Sequence, residues 1–272
     1  MTLIGDLKGY SYPLTPKGIS SVVGDLPWHY GTENLNFVYK TDPDAVAAYL
    51  PEPLEPGDHP GTVYVSFSKW YSLWDNQLDM AVANPERARY SETIVWLSSS
   101  FKGLQGQTCI CAWVDNDFTL ARGWFMGFPK KLGVTYQSEY HHLNPAMSPV
   151  GVGTRIKAYT VAHGERLMEG TLTIDRKVPG GELPKPMGLP VLNIRHFPSI
   201  VPGAAPSVLE LVQINAEDVR RGDVWAGSGT LTFGSSNTEE FMAGLPPREV
   251  LGAYCFSSGY TITGGEVLHS WV

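Results

Sequence analysis

Two adjacent lysines, Lys130 and Lys131, follow an apolar, aromatic stretch and a proline in the segment ARGWFMGFPKKLG at residues 121–133. Burial in such surroundings disfavours the charged form of an amine, and a second ammonium group one residue away acts in the same direction. A neutral lysine amine is a nucleophile that forms a Schiff base with a carbonyl compound. The same residue types also fit two solvated lysines where a strand meets a loop, and composition alone favours that structural alternative.

Strands are the main elements available to position these lysines. Thr62–Tyr71 alternates apolar and polar residues with a period of two, which is typical of a half-buried strand. Gly, Pro, Asp and Asn separate further segments of this kind. The further predicted strands are Thr93–Phe101, Gln107–Val114, Phe118–Phe125, Thr135–His142, Arg155–Ala162, Arg166–Ile174, Val191–Phe197, Val208–Ile214, Thr230–Phe233 and Tyr260–Val267. Many short strands in one chain indicate a barrel-like or sandwich-like sheet system.

Helical signals are few. Asp42 is predicted to cap a short helix that has Pro43 in its first position and ends before Pro51. A second helix is predicted at Thr238–Ala243, capped by Thr238 or by the preceding Asn. Val178–Pro190 is rich in Pro and Gly and is predicted to be a loop or crossover. Because strand-like segments occur at similar density on both sides of it, we expect one domain over residues 1–272.

Composition restricts the class of protein. Hydrophobic residues make up 43% of the 272 residues and charged residues 17%, which excludes a disordered chain. The net charge is −7 and the Lys and Arg residues are scattered, so binding to nucleic acid or to an anionic membrane is disfavoured. No apolar run approaches the ~20 residues of a membrane helix. The start, MTLIGDLKGYSYP, has no basic and apolar regions of a signal peptide.

Several signatures of cofactor and metal chemistry are missing. The sequence contains no phosphate loop, no dinucleotide-binding glycine motif and no nucleophile elbow. Its seven histidines lack zinc-site spacing, and the adjacent His141 and His142 would lie on opposite faces of a strand. We therefore predict neither a metal nor a cofactor.

The three cysteines do not form a disulfide framework. Cys109 and Cys111 lie two apart in the stretch TCICAWV, which predicts a strand with both thiols on one face. We interpret them, with Cys255, as small buried residues in a reducing compartment, the cytoplasm.

The lysine motif FPKKLG and the upstream Arg122 resemble the hallmark of the acetoacetate decarboxylase-like superfamily. In that decarboxylase, desolvation or a cationic neighbour is the known means of activating the lysine. Other segments are similar to the family as well: NFVYKTD at 36–42 with LPEPL at 50–54, Tyr90-Ser91-Glu92, Glu210-Leu211, and VWAGSG at 224–229. The matches run from about residue 28 to the carboxyl end, as in a divergent member.

The resemblance implies roles for the polar residues of the motifs. Lys130 would form the Schiff base, and Lys131 would help to lower the pKa of its neighbour. Glu92 matches a glutamate beside the Schiff base, a general acid/base or electrostatic element; alone, it would be interpreted as a surface carboxylate. Tyrosines act as proton donors in some relatives, and Tyr90 and Tyr260 are the candidates here, with a buried or rim position as the alternative.

The same resemblance suggests substrate contacts from Phe128, Met126 and Arg122. At several positions, however, this sequence differs from the pattern of the family. Thr32 stands where the decarboxylase carries an active-site arginine, and Ser66 or a neighbour stands in place of a second glutamate. Gly123 replaces the glutamate that follows the motif arginine, and the stretch Trp70–Arg89 is longer than in the family.

These departures favour imine chemistry other than decarboxylation of acetoacetate. The resemblance implies a cofactor-free Schiff-base lyase that acts on a small keto acid, for example an aldolase–dehydratase that uses pyruvate. Decarboxylation of acetoacetate or a larger β-keto acid is the alternative, and a non-catalytic barrel that binds a hydrophobic carbonyl ligand is an alternative of another class.

The family's fold is β-rich α+β: a large antiparallel sheet curls into a cone or barrel around the carbonyl pocket, with few short helices. The resemblance further implies a homo-oligomer.

Overall fold

The computed structural model describes residues 5–179 and 182–272 of the chain. The start of the amino-terminal segment (1–4) and two glycines of the predicted Pro/Gly loop (180–181) lie outside the described residues. The strands are β1 Trp28–Lys40, β2 Glu55–Pro56, β3 Thr62–Trp74, β4 Arg89–Phe101, β5 Leu104–Val114, β6 Lys130–Leu132, β7 Val134–Gln137, β8 Arg155–Ala162, β9 Glu165–Lys177, β10 Val191–Phe197, β11 Val208–Arg221, β12 Trp225–Phe233 and β13 Glu249–Ser270. The α-helices are α1 Pro43–Ala48, α2 Met80–Ala83, α3 Asp117–Phe125 and α4 Phe241–Gly244, and short 3-10 helices span Asp75–Gln77 and Pro85–Ala88.

The described strands belong to one sheet that closes into a ring. Strand β1 pairs with β3 on one side and with β13 on the other, so the order β1-β3-β4-β5-β10-β11-β13 returns to its start. Strands β12, β9, β8 and β7 extend the sheet outward from β13. Two pairings, β5 with β10 and β5 with β6, are parallel, and the sheet is therefore mixed. The predicted β-rich fold with a curled sheet and few short helices is confirmed, and we infer one domain because one sheet joins all these strands.

The ring strands have two buried faces, so β1, β3 and β4 are buried at most positions, including many of their polar residues. One face packs into the main core, which includes Leu35, Phe37, Val65, Val95 and Leu97. The opposite face points to the inside of the ring and is more aromatic and polar. Its residues include Tyr30, Trp70, Tyr90, Glu92 and Trp96. The alternation of a strand thus separates residues that hold the fold together from residues that line an internal cavity.

The predicted strand at Phe118–Phe125 is wrong: these residues form the helix α3. Its buried residues are Phe118, Thr119, Arg122 and Gly123. This spacing follows the 3.6-residue period of a helix rather than the period of two. The segment had been predicted as one more short strand between turn residues, but the packing of one helical face against the ring decides the conformation.

The predicted common face of Cys109 and Cys111 is also wrong. Val95 pairs with Cys111 and Trp96 pairs with Cys109, so Ile110 is an extra residue, as in a β-bulge. The bulge reverses the alternation at this point. Cys109 therefore lies on the cavity face and Cys111 packs against the main core.

Several boundaries differ from the sequence prediction. The helix capped by Asp42 with Pro43 in its first turn is confirmed, since the Asp42 side chain accepts a hydrogen bond from the Asp44 amide. Helix α4 begins at Phe241 instead of Thr238, without a side-chain cap. The strand expected to reach His142 ends at Gln137. Among the described residues, no helix has the length and apolar character needed to cross a membrane.

Candidate active site

Strand β6 places the two lysines on opposite sides of the sheet. It has three residues and runs parallel to β5, with Lys130 beside Ala112 and Lys131 beside Trp113. Lys130 follows the alternation into the ring. Lys131 faces the other way, where its Nζ donates to Glu239 Oε1 at 2.6 Å and lies 5.4 Å from the centre of the Trp113 ring. Lys131 is therefore outside the cavity.

The Lys130 amine is buried and has two polar neighbours. Its Nζ lies 2.8 Å from Glu92 Oε1 and donates to Thr119 Oγ1 at 2.9 Å. Burial lowers the pKa of Lys130 below its ordinary value, the Glu92 carboxylate opposes this change, and the Arg122 guanidinium adds to it. The cation that acts on Lys130 is thus Arg122 on helix α3, whereas the sequence had pointed to Lys131.

A glycine leaves the space that the Lys130 side chain occupies. A Cβ atom at Gly123 would lie 2.3 Å from Lys130 Cδ and 2.5 Å from Cε. The glutamate that the family has at this position does not fit beside the lysine in this conformation. The glycine at position 123 therefore provides the space that the Lys130 side chain occupies in the site.

Arg122 is fully buried but does not line the cavity. Its Nη1 donates to Ser72 Oγ at 2.8 Å, and its Nε and Nη2 have no hydrogen-bond partner among the described residues. Its guanidinium carbon lies 4.7 Å from the centre of the Tyr30 ring and 5.9 Å from that of Tyr90. Aromatic rings thus separate this cation from the cavity, which removes the direct substrate contact expected of it.

The cavity inside the ring measures about 490 Å³. Met126 and Phe128, both expected to contact substrate, line it together with Glu92 and Lys130. Further lining comes from the end of the Pro/Gly-rich segment and from strand β11. These residues are Gly188, Leu189, Pro190, Val191, Gln213, Ile214, Asn215, Ala216, Val219 and Arg221. An apolar, aromatic cavity with a few convergent polar groups is the usual form of a small-molecule site.

Three tyrosines face this cavity. Tyr90 and Tyr260 were expected from the sequence, and Tyr30 on β1 was not. The rings of Tyr30 and Tyr260 stack with their centres 5.1 Å apart, and Tyr90 stacks on Trp70 at 5.8 Å. Burial raises the pKa of Tyr30 to about 12 and those of Tyr90 and Tyr260 well above 10. All three are therefore neutral phenols near pH 7.

Thr32, expected in place of the family's arginine, and Ser66, which itself or through a neighbour is expected in place of its second glutamate, are buried on β1 and β3. Neither lines the cavity. Thr32 donates weakly to Asn34 Oδ1 at 3.4 Å, and Asn34 Oδ1 also accepts from Ser68 at 2.9 Å. Neutral hydrogen bonding thus replaces charge on this part of the ring.

The described residues contain no group of three His, Cys, Asp or Glu side chains that could hold a metal ion. The stacked His141 and His142 lie in an exposed turn, away from the cavity. The polar side chains that line the cavity are those of Lys130, Glu92, the three tyrosines, Gln107, Gln213, Asn215 and Arg221.

A closed, mixed β ring around a buried lysine–glutamate pair is the architecture of acetoacetate decarboxylase-like enzymes, a class of lyases. The family model for acetoacetate decarboxylase matches residues 11–271, and the chain belongs to this family. The acetoacetate decarboxylase of Paraburkholderia xenovorans (strain LB400) is 26% identical over 248 residues, which are 88% of this chain and 85% of the relative.

Two solved structures are more similar. The enduracididine biosynthesis enzyme MppR, complexed with the condensation product of pyruvate and imidazole 4-carboxaldehyde, is 33% identical with a TM-score of 0.91, and the match covers 99% of each chain. An acetoacetate decarboxylase-like enzyme from Sphingomonas wittichii RW1 is 30% identical with a TM-score of 0.89, over 97% of this chain and 100% of that chain. The family resemblance predicted from the lysine motif is confirmed.

Proposed function

We propose that this protein is a Schiff-base lyase that needs no cofactor and condenses a small keto acid such as pyruvate with an aldehyde, with loss of water. The observation that carries the proposal is the buried Lys130 amine at 2.8 Å from Glu92, inside an apolar cavity. The likeness to MppR, whose complex holds a condensation product of pyruvate and an aldehyde, supports the choice of substrates.

In the first half-reaction the neutral Lys130 amine attacks the keto carbon of pyruvate. Loss of water gives a protonated imine, which accepts the electron pair of a breaking C–H bond. Glu92 is placed to remove a proton from the pyruvate methyl group, because its carboxylate touches the amine that becomes the imine nitrogen. The product of this step is a nucleophilic enamine.

In the second half-reaction the enamine carbon attacks the aldehyde carbonyl and forms the new C–C bond, and a neutral phenol, Tyr90 or Tyr260, donates a proton to the developing alkoxide. Removal of a second proton from the same carbon and departure of the protonated hydroxyl as water create a C=C bond. Water then hydrolyses the imine. One pyruvate and one aldehyde give one unsaturated keto acid and one water, and Lys130 is regenerated.

Decarboxylation of acetoacetate is the second candidate, and the names of the curated relatives favour it. It uses the same imine, with the electron pair of the C–CO2 bond in place of that of a C–H bond. The resemblance argues against it, because neutral residues, Thr32 and Ser66 or a neighbour, stand in place of an arginine and a glutamate of the decarboxylase. Carbon dioxide release from acetoacetate, measured beside product formation from pyruvate and an aldehyde, separates the two reactions.

The decisive experiment is borohydride reduction in the presence of pyruvate, followed by peptide mass spectrometry. We expect an adduct on Lys130 only. Lys130→Arg should give no adduct and no turnover, since a guanidinium cannot act as a neutral amine nucleophile. Lys131→Arg is the matched control, because it keeps a cation for Glu239 and should keep both. Absence of any adduct would instead indicate a non-catalytic binding barrel.

We further propose that the chain is a homo-oligomer in the cytoplasm. The three free cysteines fit a reducing compartment. Leu132, Val134 and Tyr136 expose apolar side chains along one side of β6 and β7, a surface suited to a second copy. Sedimentation equilibrium measures the state, and a monomer at all concentrations would contradict this proposal.

A further inference from the structure

The phenol groups that line the cavity make no hydrogen bonds to other residues within the described part of the chain. Tyr30, Tyr90 and Tyr260 all line the cavity, and among the described residues none of the three hydroxyls has a protein partner. The indole Nε1 of Trp70, which lies between these rings, is also buried without a partner. Native proteins satisfy almost all buried polar groups. The natural partner of such neutral donors is an oxygen-rich ligand.

The charges around the site specify the ligand further. Arg221 lines the cavity at an exposed position, so the buried charges around the reacting amine are those of two residues. Glu92 contributes one negative charge, and Arg122 contributes one positive charge without any carboxylate partner among the described residues. Formation of the protonated imine on Lys130 adds a second positive charge. The buried charges are then balanced only when the ligand brings one negative charge, as the carboxylate of a keto acid does.

Tyr30 is the phenol best placed to receive that carboxylate. A carboxylate next to Glu92 would be repelled, whereas Arg122 attracts it. Arg122 does not reach the cavity itself, and among the cavity-lining rings that of Tyr30 lies nearest to its guanidinium, at 4.7 Å. Tyr30 thus lines the cavity and has the cation against its ring.

We propose that the Tyr30 hydroxyl, backed by the buried Arg122 guanidinium, binds the carboxylate of the keto-acid substrate. Tyr260, stacked on Tyr30 with ring centres 5.1 Å apart, supplies a second donor nearby. Burial raises the pKa of Tyr30 to about 12, so that the hydroxyl keeps its proton and donates it at neutral pH. Arg122 acts through Tyr30 and is a positioning residue. This inference rests on the proposed function, because it assigns a role within the same site.

The test compares an acid with its neutral ester. Borohydride trapping on Lys130 is measured over a range of pyruvate and of methyl pyruvate concentrations, for the wild type, Tyr30→Phe and Tyr39→Phe. Tyr39 lies on the same strand but points into the main core, where its hydroxyl donates to the Leu245 carbonyl, and it serves as the matched control. Tyr30→Phe keeps the ring beside Arg122 and removes only the hydroxyl.

We expect Tyr30→Phe to raise the half-saturating pyruvate concentration roughly tenfold or more, the usual effect of losing a hydrogen bond to a charged group. The value for methyl pyruvate should hardly change, and Tyr39→Phe should change neither. Arg122→Met gives an independent measurement, since it should lower the preference for pyruvate over methyl pyruvate even when it slows both.

Equal effects of Tyr30→Phe on the acid and the ester, or no effect on either, would overturn the carboxylate assignment while leaving the lyase intact. A wild-type protein that traps neither compound would instead contradict the proposed function. The ratio of the half-saturating concentrations of pyruvate and methyl pyruvate also separates an effect on binding from an effect on folding, because a damaged fold impairs trapping of both compounds.

Discussion

The reactivity of the Lys130 amine depends on three surroundings that act in different directions. Burial favours the neutral amine, Glu92 favours the ammonium, and Arg122 favours the neutral amine again. A base whose folded-state pKa is lowered loses its proton at lower pH than in the unfolded chain. The nucleophilic fraction therefore rises with pH through this lowered pKa, so half of the amine is neutral at a pH below the ordinary value of 10.5.

Removal of the Arg122 charge and removal of the Glu92 charge should shift this pH dependence in opposite directions. Arg122→Met removes a cation and should move the midpoint of the trapping rate to higher pH, whereas Glu92→Gln removes a carboxylate and should move it to lower pH. The measurement is the rate of borohydride trapping with pyruvate as a function of pH.

Lys131→Met is the control for these two variants, because its amine points away from the cavity toward Glu239. A large shift in Lys131→Met, with none in Arg122→Met, would restore the neighbouring lysine as the activating cation and refute the assignment made from the structure.

The sequence indicates the reacting pair more readily than its surroundings. Lys130 and Glu92 stand in short motifs, and the structure brings them into contact. Tyr30 carries no motif of its own, although the run WHYGTENLNFVYK places it in phase with Trp28, Thr32 and Asn34 on one face of a strand. The opposite directions of Lys130 and Lys131 follow from strand alternation, but only once residues 130–132 are known to form a strand.

Helix α3 and strand β6 position the site as one unit. The helix supplies Arg122, Thr119 and the gap at Gly123, and the chain then turns at Phe128 so that Lys130 lies back across the helix. Prediction of the elements around the site failed where tertiary packing outweighs local preference: residues 118–125 were predicted as a strand, and the bulge at Ile110 in β5 has no sequence signal.

Gly123→Ala should displace the Lys130 amine with little effect on the stability of the protein. Alanine normally stabilises a helix interior by roughly 0.5–1 kcal/mol relative to glycine. Here the new methyl group would meet the Lys130 side chain, whose flexible stem can move, so the free energy of unfolding should change by no more than about 1 kcal/mol.

The displaced amine should nevertheless leave Glu92 and Thr119, and trapping should fall at least tenfold by a geometric effect on the reacting group. Gly31→Ala on β1 is the control, because a Cβ there meets nothing within 4 Å. Trapping at the wild-type rate in Gly123→Ala would show that the gap at Gly123 is not needed by the lysine.

Over the whole molecule, closure of the ring joins distant parts of the chain around one cavity. Strand β1, near the amino end, pairs over its full length with β13, near the carboxyl end. Tyr30 and Tyr260 are direct partners in this pairing, and their rings stack inside the ring. Such a pairing between residues 230 positions apart is not readable from local periodicity, so the sequence predicted a curled sheet but not which tyrosines would meet.

The protein contains many buried tyrosine phenols and cysteine thiols, and these groups determine how its stability changes at alkaline pH. Burial raises the pKa of the buried phenols Tyr39 and Tyr64 and of the cavity phenols Tyr30, Tyr90 and Tyr260. Burial also raises the pKa of Cys255 to about 11 and that of Cys111 to about 12. Each such group keeps its proton in the folded protein after the same group in the unfolded chain has lost it. The stability of the fold is therefore unaffected below the pKa of the unfolded chain and falls as the pH rises above that pKa. The lowered pKa of Lys130 has the opposite sign, since the unfolded chain binds its proton more tightly, but this is one group against many.

The free energy of unfolding should therefore fall steeply above about pH 10, and one phenol can be removed to measure its share. Tyr39→Phe loses the hydrogen bond to the Leu245 carbonyl and should cost about 1 kcal/mol at pH 8.5. Between pH 8.5 and 11, however, the free energy of unfolding of Tyr39→Phe should fall by about 1.4 kcal/mol less than that of the wild type. The reason is that the variant lacks the Tyr39 proton, which the folded wild-type chain keeps and the unfolded chain releases. Val65→Ala, a core change without a titrating group, should lower stability by the same amount at both pH values. Urea unfolding at the two pH values measures these differences, and parallel losses in Tyr39→Phe and the wild type would show that Tyr39 ionises as readily in the fold as in the unfolded chain.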